Sequence, residues 1–531
     1  MYDIILFGDM PDLDTYSRST GCHRIATELR KHNYSVLVVD YGNYINLDRF
    51  KQLIDLTVGP NTLFVGFSST WYPWQLTNGD YAINEPSKPH NKYTGPVIDD
   101  SVQVNFAKHA IVQYTEYIRK ANNNTKIILG GSKVYMYFLP LIDNFFIGYS
   151  DTMIIDYANS LSGRGQKRLF SKIVDYDSKA RDSNWDFRDA VIEYPEESFI
   201  LPTETLLLEV GRGCRFRCSF CSYPLIGEKN TDLYLKHEEV LYNELYNNYI
   251  KHGVTKYVIV DDTFNDSTEK LERVLSVVKR LPFKPKFWCY CRIDLIATHN
   301  EHIQLLKDIG IREVYFGIET FNVKAGRTIG KGMNPDRIKR TLEQCHSVWG
   351  RQVNIMTGLI CGLPNDNVSD FENSCRYFDD INGPVGHVNV TPLRIFKYKN
   401  DYWNKYKFKA EFESNAEQYG YTWPDENIPW YWIKNDGTDV TDYYIANELA
   451  VKWQNILDKH YTFLRCFFYT SCLLDNRFDY DILMELSSTD EFNNHIGNTD
   501  IRESMRTQIE EYYFKPLFSF ITSKRHQILG D

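Results

Sequence analysis

Short apolar runs alternate with stretches of helical period along most of this chain. DIILFG precedes GCHRIATELRKHN, YSVLVVD precedes LDRFKQLIDL, and TLFVGFSS, TKIILGG and NFFIGYSD extend the series. Strands alternating with helices predict a parallel sheet, so residues 1–165 are expected to form an α/β, Rossmann-like domain. An aromatic insertion at about 71–125 interrupts it, turn-rich in its first half and helical in its second. Residues 166–200 hold no sustained period and read as a linker. Alternation resumes over 201–400 with TLLLEVG, KYVIVDD, PKFWCYCRID, REVYFGIE, VNIMTGLICGLP and HVNVTPLRI, which predicts a partial (β/α)6 barrel. Residues 401–531 read as a mainly helical, aromatic-rich region, expected to cap the barrel or contact substrate.

Composition narrows the class. A length of 531 residues exceeds what one hydrophobic core serves and suggests two to four domains, while 43% hydrophobic and 24% charged residues are a globular balance. The net charge of −10 gives no general attraction to phosphate backbones, which disfavours nucleic acid as a partner. Neither an apolar run of 18 residues nor a secretory pattern at MYDIILFGDM appears, so a cytoplasmic protein without a membrane partner is expected.

Ten of the eleven cysteines lie at or after position 214, and the tightest group has metal-ligand spacing. GRGCRFRCSFC places Cys214, Cys218 and Cys221 at C-x3-C-x2-C directly after the first barrel strand, at the strand end where barrels put their chemistry. Three thiolates hold three irons of a 4Fe-4S cluster and leave the fourth iron open. Structural zinc competes, but it wants a fourth ligand, and no His or Cys follows within the next dozen residues. Three unrelated buried cysteines are the plain alternative.

At these residues the chain resembles the radical S-adenosylmethionine (radical SAM) superfamily, whose signature is this spacing with an aromatic residue before the last cysteine, here Phe220. The resemblance implies that the open iron chelates the methionine moiety of SAM and that an electron from the cluster releases a 5'-deoxyadenosyl radical, supplied by a donor such as flavodoxin or ferredoxin. It covers about 200–400 and implies further cofactor-facing residues. Asp261 and Asp262 stand at the second strand end, where capping by Asp is the structural alternative. Arg292, with Asp294, stands at the third, and Glu319 takes the place of a ribose contact after Gly-Ile. Lys331 sits where relatives carry a base near the cofactor carboxylate, and Gly358 and Gly362, in the segment running to Pro364, match a glycine segment that lets backbone approach adenine.

The domain order resembles radical SAM members with an N-terminal cobalamin-binding domain. Ser68 and Ser69 in VGFSST, and Gly130 and Gly131 in ILGGSKVY, are similar to segments that line the nucleotide tail, and Gly148–Asp151 sits where relatives have a Gly-Glu turn. The Asp-x-His-x-x-Gly motif is missing, and His23 falls too late to serve as lower axial ligand. The domain therefore reads either as a cobalamin site or as a scaffold. A single cluster is expected, since only Cys22 precedes residue 214 and only Cys466 and Cys472 follow residue 400. The expected function is radical SAM chemistry on an unidentified small-molecule or peptide substrate, either cobalamin-dependent methyl transfer or rearrangement and cyclisation. A non-catalytic cluster-binding regulator is the reading of another class.

Overall fold

The computed structural model describes residues 1–8, 18–42, 45–68, 110–131, 141–165, 168–175, 185–221, 234–380, 383–395, 397, 410–424, 431–461 and 507–529. Ser69, the insertion from Trp71 to residue 109, Cys466 and Cys472 lie outside the described residues.

The α/β architecture expected from the alternation is what the chain adopts. Six parallel strands form the first sheet: β1 (Ile4–Phe7), β2 (Val36–Val39), β3 (Phe64–Ser68), β4 (Lys126–Gly131), β5 (Asn144–Ile147) and β6 (Ile173–Asp175), in the order β2-β1-β3-β4-β5-β6. The apolar runs bury both faces of these strands, as a sheet covered by helices on both sides requires. Strand order reverses between β1 and β3, and in open α/β sheets ligands bind beyond the carboxyl ends at such a switch point. Strand β6 falls in the stretch read as a linker; three residues are too few for periodicity to announce them.

The second sheet holds β7 (Thr205–Leu208), β8 (Lys256–Ile259), β9 (Lys286–Cys291), β10 (Ile311–Glu319), β11 (Asn354–Cys361) and β12 (His387–Pro392), parallel and in sequential order. Alternate residues face the helices: Leu206, Tyr257, Phe287, Val314, Ile355 and Val388 join the large outer core. The opposite set faces the barrel interior, where Leu207, Val258, Trp288 and Tyr315 form a small cluster of their own.

The region after residue 400 divides. Three short antiparallel strands (Tyr421–Thr422, Ile433–Lys434, Thr441–Asp442) lead into helix Tyr443–Tyr461, which packs beside β12. Gln454 on that helix accepts from Val390 N–H at 2.7 Å and donates to Val388 C=O at 3.1 Å. Its amide thereby satisfies the open edge of the sheet. The last helix, Lys515–Leu529, goes elsewhere: Leu517 and Ile521, with Ile509, Tyr513 and Phe514, are buried in the core of the first sheet.

Two interior positions give tests. Gly358 lacks a side chain because the Tyr315 hydroxyl fills the space, and a Cβ there would lie 2.1 Å from it. Gly358→Ala should destabilise the fold by about 1–3 kcal/mol, the usual cost of overpacking. A Tyr315→Phe background should reduce that cost, measured by a double-mutant cycle in denaturant. Glu313 lies deep on the interior face, hydrogen-bonded by Asn354 at 3.0 Å, and burial pushes its carboxyl up to about 8. A raised carboxyl pKa adds stability that is complete below the unfolded value and lost as pH rises through the folded one. The denaturation midpoint should therefore fall between about pH 5 and 8 in the native chain, and the Glu313→Gln variant should lack that part of the slope.

Candidate active site

Parallel strands send their carboxyl ends to one rim, and the cysteine loop leaves that rim directly after β7. Gly211 bridges to Leu235, Arg212 N–H donates to Tyr234 C=O at 3.0 Å, and Gly213, at φ +97°, turns the chain inward to Cys214. A left-handed backbone at that point favours glycine. Cys214 is buried while Cys218 and Cys221 are half-buried, and none of the three is in a disulfide. A short turn from Cys221 N–H to Cys218 C=O, 3.0 Å, fixes the C-x2-C end.

Neighbouring strand ends grip this loop. The Cys214 sulfur lies 3.4 Å from the Thr263 hydroxyl after β8. Burial pushes the Cys214 thiol up, and the Thr263 hydroxyl and the Phe216 N–H oppose that by favouring the thiolate. Arg292, after β9, donates through Nη1 to the Cys218 sulfur at 3.4 Å and through Nη2 to Gly330 C=O at 3.1 Å. Asp294 holds the guanidinium from the other side at 2.7 and 3.0 Å, and the Phe216 ring lies 4.0 Å from it. Ser219 donates to Thr328 C=O at 2.9 Å and accepts from Phe412 N–H at 3.0 Å. The region after residue 400 thus touches the loop at Ser219. Thr263, Ser219 and Phe412 were not singled out from the sequence; a lone polar residue at a strand end carries no spacing signal.

Other residues named from the sequence gather at the same rim with different engagements. Asp261 accepts from Val210 N–H at 2.8 Å and pairs with Lys270 at 2.6 Å, which commits it to holding the barrel together. Asp262 beside it is half-buried, and desolvation together with Asp261 raises its carboxyl to about 6. Glu319 closes β10 at φ +68°, a left-handed conformation that costs a non-glycine residue about 1–3 kcal/mol and is found at sites where the surroundings enforce it. Lys331 enforces it: its Nζ donates to Glu319 at 2.7 Å and to Gly317 C=O at 2.9 Å, and stands 5.6 Å from the Phe220 ring. A Cβ at Gly358 would lie 2.1 Å from the Tyr315 hydroxyl, and one at Gly362 would lie 2.5 Å from the Trp432 ring.

In the first domain Ser68 and Gly130 are register partners at the carboxyl ends of β3 and β4, and Gly131 follows at φ +129°. His23 is fully buried, its Nε2 2.8 Å from Asp40 and its ring 4.6 Å from that of Tyr194. It is engaged within the domain core. The two domains meet across charged groups. Arg24 donates to Glu209 at 2.9 Å, Arg212 donates to Glu209 at 3.0 Å and to Asp151 at 2.7 Å, and Arg18 pairs with Glu204 at 2.8 Å. The two guanidiniums hold Glu209 well below the usual carboxylate range against the cost of burial.

Residues 208–378 match the family model described as Radical SAM superfamily. A relative, an uncharacterized methyltransferase of Pyrococcus horikoshii, is 23% identical over 303 residues, which are 53% of this chain and 64% of the relative. The match thus spans less than two thirds of that relative's length. Two structures of the radical SAM methyltransferase TsrM from Kitasatospora setae share the fold. One holds cobalamin and a [4Fe-4S] cluster and aligns over 100% of both chains with TM-score 0.53 at 14% identity. The other holds tryptophan substrate and a SAM analog and aligns over 78% of this chain and 76% of that one with TM-score 0.51 at 16% identity. Residues 208–378 therefore match the radical SAM superfamily, in a chain that shares its fold with TsrM.

Proposed function

We propose that this chain is a radical SAM enzyme that binds one 4Fe-4S cluster through Cys214, Cys218 and Cys221 and transfers a methyl group with the help of cobalamin in its first domain. One observation carries the reading: three cysteines outside any disulfide leave the carboxyl end of the first barrel strand in a single loop, with a hydroxyl on one sulfur and a guanidinium on another. Soft thiolates suit an iron–sulfur cluster, and the hydrogen-bond donors around them are the groups that tune one. When bound, the cluster and SAM would supply an adenosyl radical, and cobalamin a methyl carrier.

The chain's own residues have definable tasks around that chemistry. Arg292 and Thr263 orient Cys218 and Cys214. Asp262, with its raised carboxyl, offers a polar group beside the cysteine loop that changes charge near neutral pH. Lys331 and Glu319 present one paired cation and anion on the rim near Phe220. In the first domain, the small residues Ser68, Gly130 and Gly131 line adjacent strand ends without bulk, which suits the approach of a large flat ligand.

A second reading, rearrangement or cyclisation with a scaffold N-terminal domain, is favoured by His23, whose ring nitrogen Nε2 is committed to Asp40 and unavailable as an axial ligand. A cobalamin titration separates the two. Anaerobically reconstituted protein should bind about four iron per chain and release 5'-deoxyadenosine with SAM and dithionite, and Cys218→Ala should lower both. Added cobalamin should give a stoichiometric visible spectrum in the methyl-transfer reading and none in the other. A full cluster that yields no deoxyadenosine with any tested substrate would end the enzymatic reading.

A further inference from the structure

Two residues before the first cysteine, Arg212 is held more completely than any function within the barrel requires. Its Nε donates to Glu209 at 3.0 Å, its Nη1 to Asp151 at 2.7 Å, and its Nη2 to Asp151 at 3.2 Å and Glu209 at 3.3 Å. The guanidinium sits over three rings, 4.1 Å from Tyr149, 4.7 Å from Phe187 and 5.7 Å from Trp185. Its side chain is 7% exposed and that of Asp151 is 4%. Tyr149 and Asp151 follow β5 of the first sheet, whereas Glu209 follows β7 of the barrel. Arg24, on helix Thr20–Lys31, shares Glu209 and donates to Val191 C=O at 3.0 Å, so three separate stretches of chain converge on this group.

Buried ion pairs contribute little net stability compared with apolar packing, but they impose geometry, because breaking one leaves an uncompensated charge in a dry site. Only Gly213 separates the fixed Arg212 from Cys214. We propose that Arg212 is a positioning residue through which Asp151 of the first domain sets the placement of the cysteine loop. The inference rests on the cluster assignment made above, but the loop placement itself is measurable without the cluster. It also gives the Gly148–Asp151 turn a role: the same turn that ends β5 at the carboxyl rim of the first sheet holds the loop of the second. What changes that rim changes the footing of Cys214.

Asp151→Asn, which leaves the barrel sequence untouched, is the first variant, and Asp151→Glu is the conservative rescue. In cluster-free protein, Asp151→Asn should speed amide hydrogen exchange across 211–221 by about fivefold or more, with 311–319 unchanged. In anaerobically reconstituted protein it should alter the electron paramagnetic resonance line shape of the reduced cluster and raise the SAM concentration that half-shifts the spectrum by about tenfold, as loss of an outer-sphere partner does. Asp151→Glu should recover most of both effects. Arg212→Gln should match Asp151→Asn, and the double variant should be no worse than either alone. If Arg212→Gln does not fold, the Asp151 pair decides. Native exchange over 211–221 in Asp151→Asn, together with a native spectrum and SAM response, overturns the proposal even if the melting temperature falls. Native chain that binds no cluster overturns the enzymatic reading instead, and the exchange measurement still decides the clamp.

Discussion

Parallel pairing is the constraint from which the site follows. Each strand of a parallel sheet must return by a crossover to the same starting edge, so all six barrel strands deliver the residues after them to one rim. Cys214, Thr263, Arg292 and Glu319 come from four successive strand ends and meet without any local sequence relation. The helices that make the crossovers bury one face of every strand, which leaves the opposite face free to carry Asp262, Glu319 and Tyr315. A loop with no regular structure can then be held as firmly as a helix, because its backbone and side-chain groups are satisfied from several directions.

The electrostatics of this rim are unusual for a chain with excess negative charge. Four cations near the cysteine loop are matched: Arg292 by Asp294, Lys331 by Glu319, Lys270 by Asp261, and Arg212 by Asp151 and Glu209. Each pair fixes a backbone segment, and together they hold cationic donors close to thiol sulfurs in a site where solvent is scarce. Such preorganised charge acts more strongly there than it would in water.

The architecture was legible because the barrel strands are near-continuous apolar runs, each ending in a polar or glycine signal, and because the cysteine spacing points to few chemistries. Other features left no readable trace. Arg24, Asp151 and the neighbouring Glu209 and Arg212 are ordinary charged residues from three distant stretches, and nothing in the sequence tells that they share one buried site. Gly358 and Gly362 read in the sequence as a segment that lets backbone approach adenine. A glycine does not name what fills the vacated space, and here it is the chain's own Tyr315 and Trp432. Likewise, the amphipathic pattern of Lys515–Leu529 announces a helix with a buried stripe but not the partner for that stripe.

That partner is the first sheet, and the pairing has a consequence for biosynthesis. Phe50, Leu53, Ile118 and Tyr114 share a core with Tyr513, Phe514, Leu517 and Ile521. On a ribosome, the strands and helices of the first sheet emerge complete by residue 175, yet part of their apolar face waits for residues beyond 507. At typical elongation rates that wait lasts on the order of tens of seconds. During that time the barrel can form while its neighbour remains incompletely covered. Until the final helix arrives, the first sheet lacks the Tyr513, Phe514, Leu517 and Ile521 side chains that complete this core.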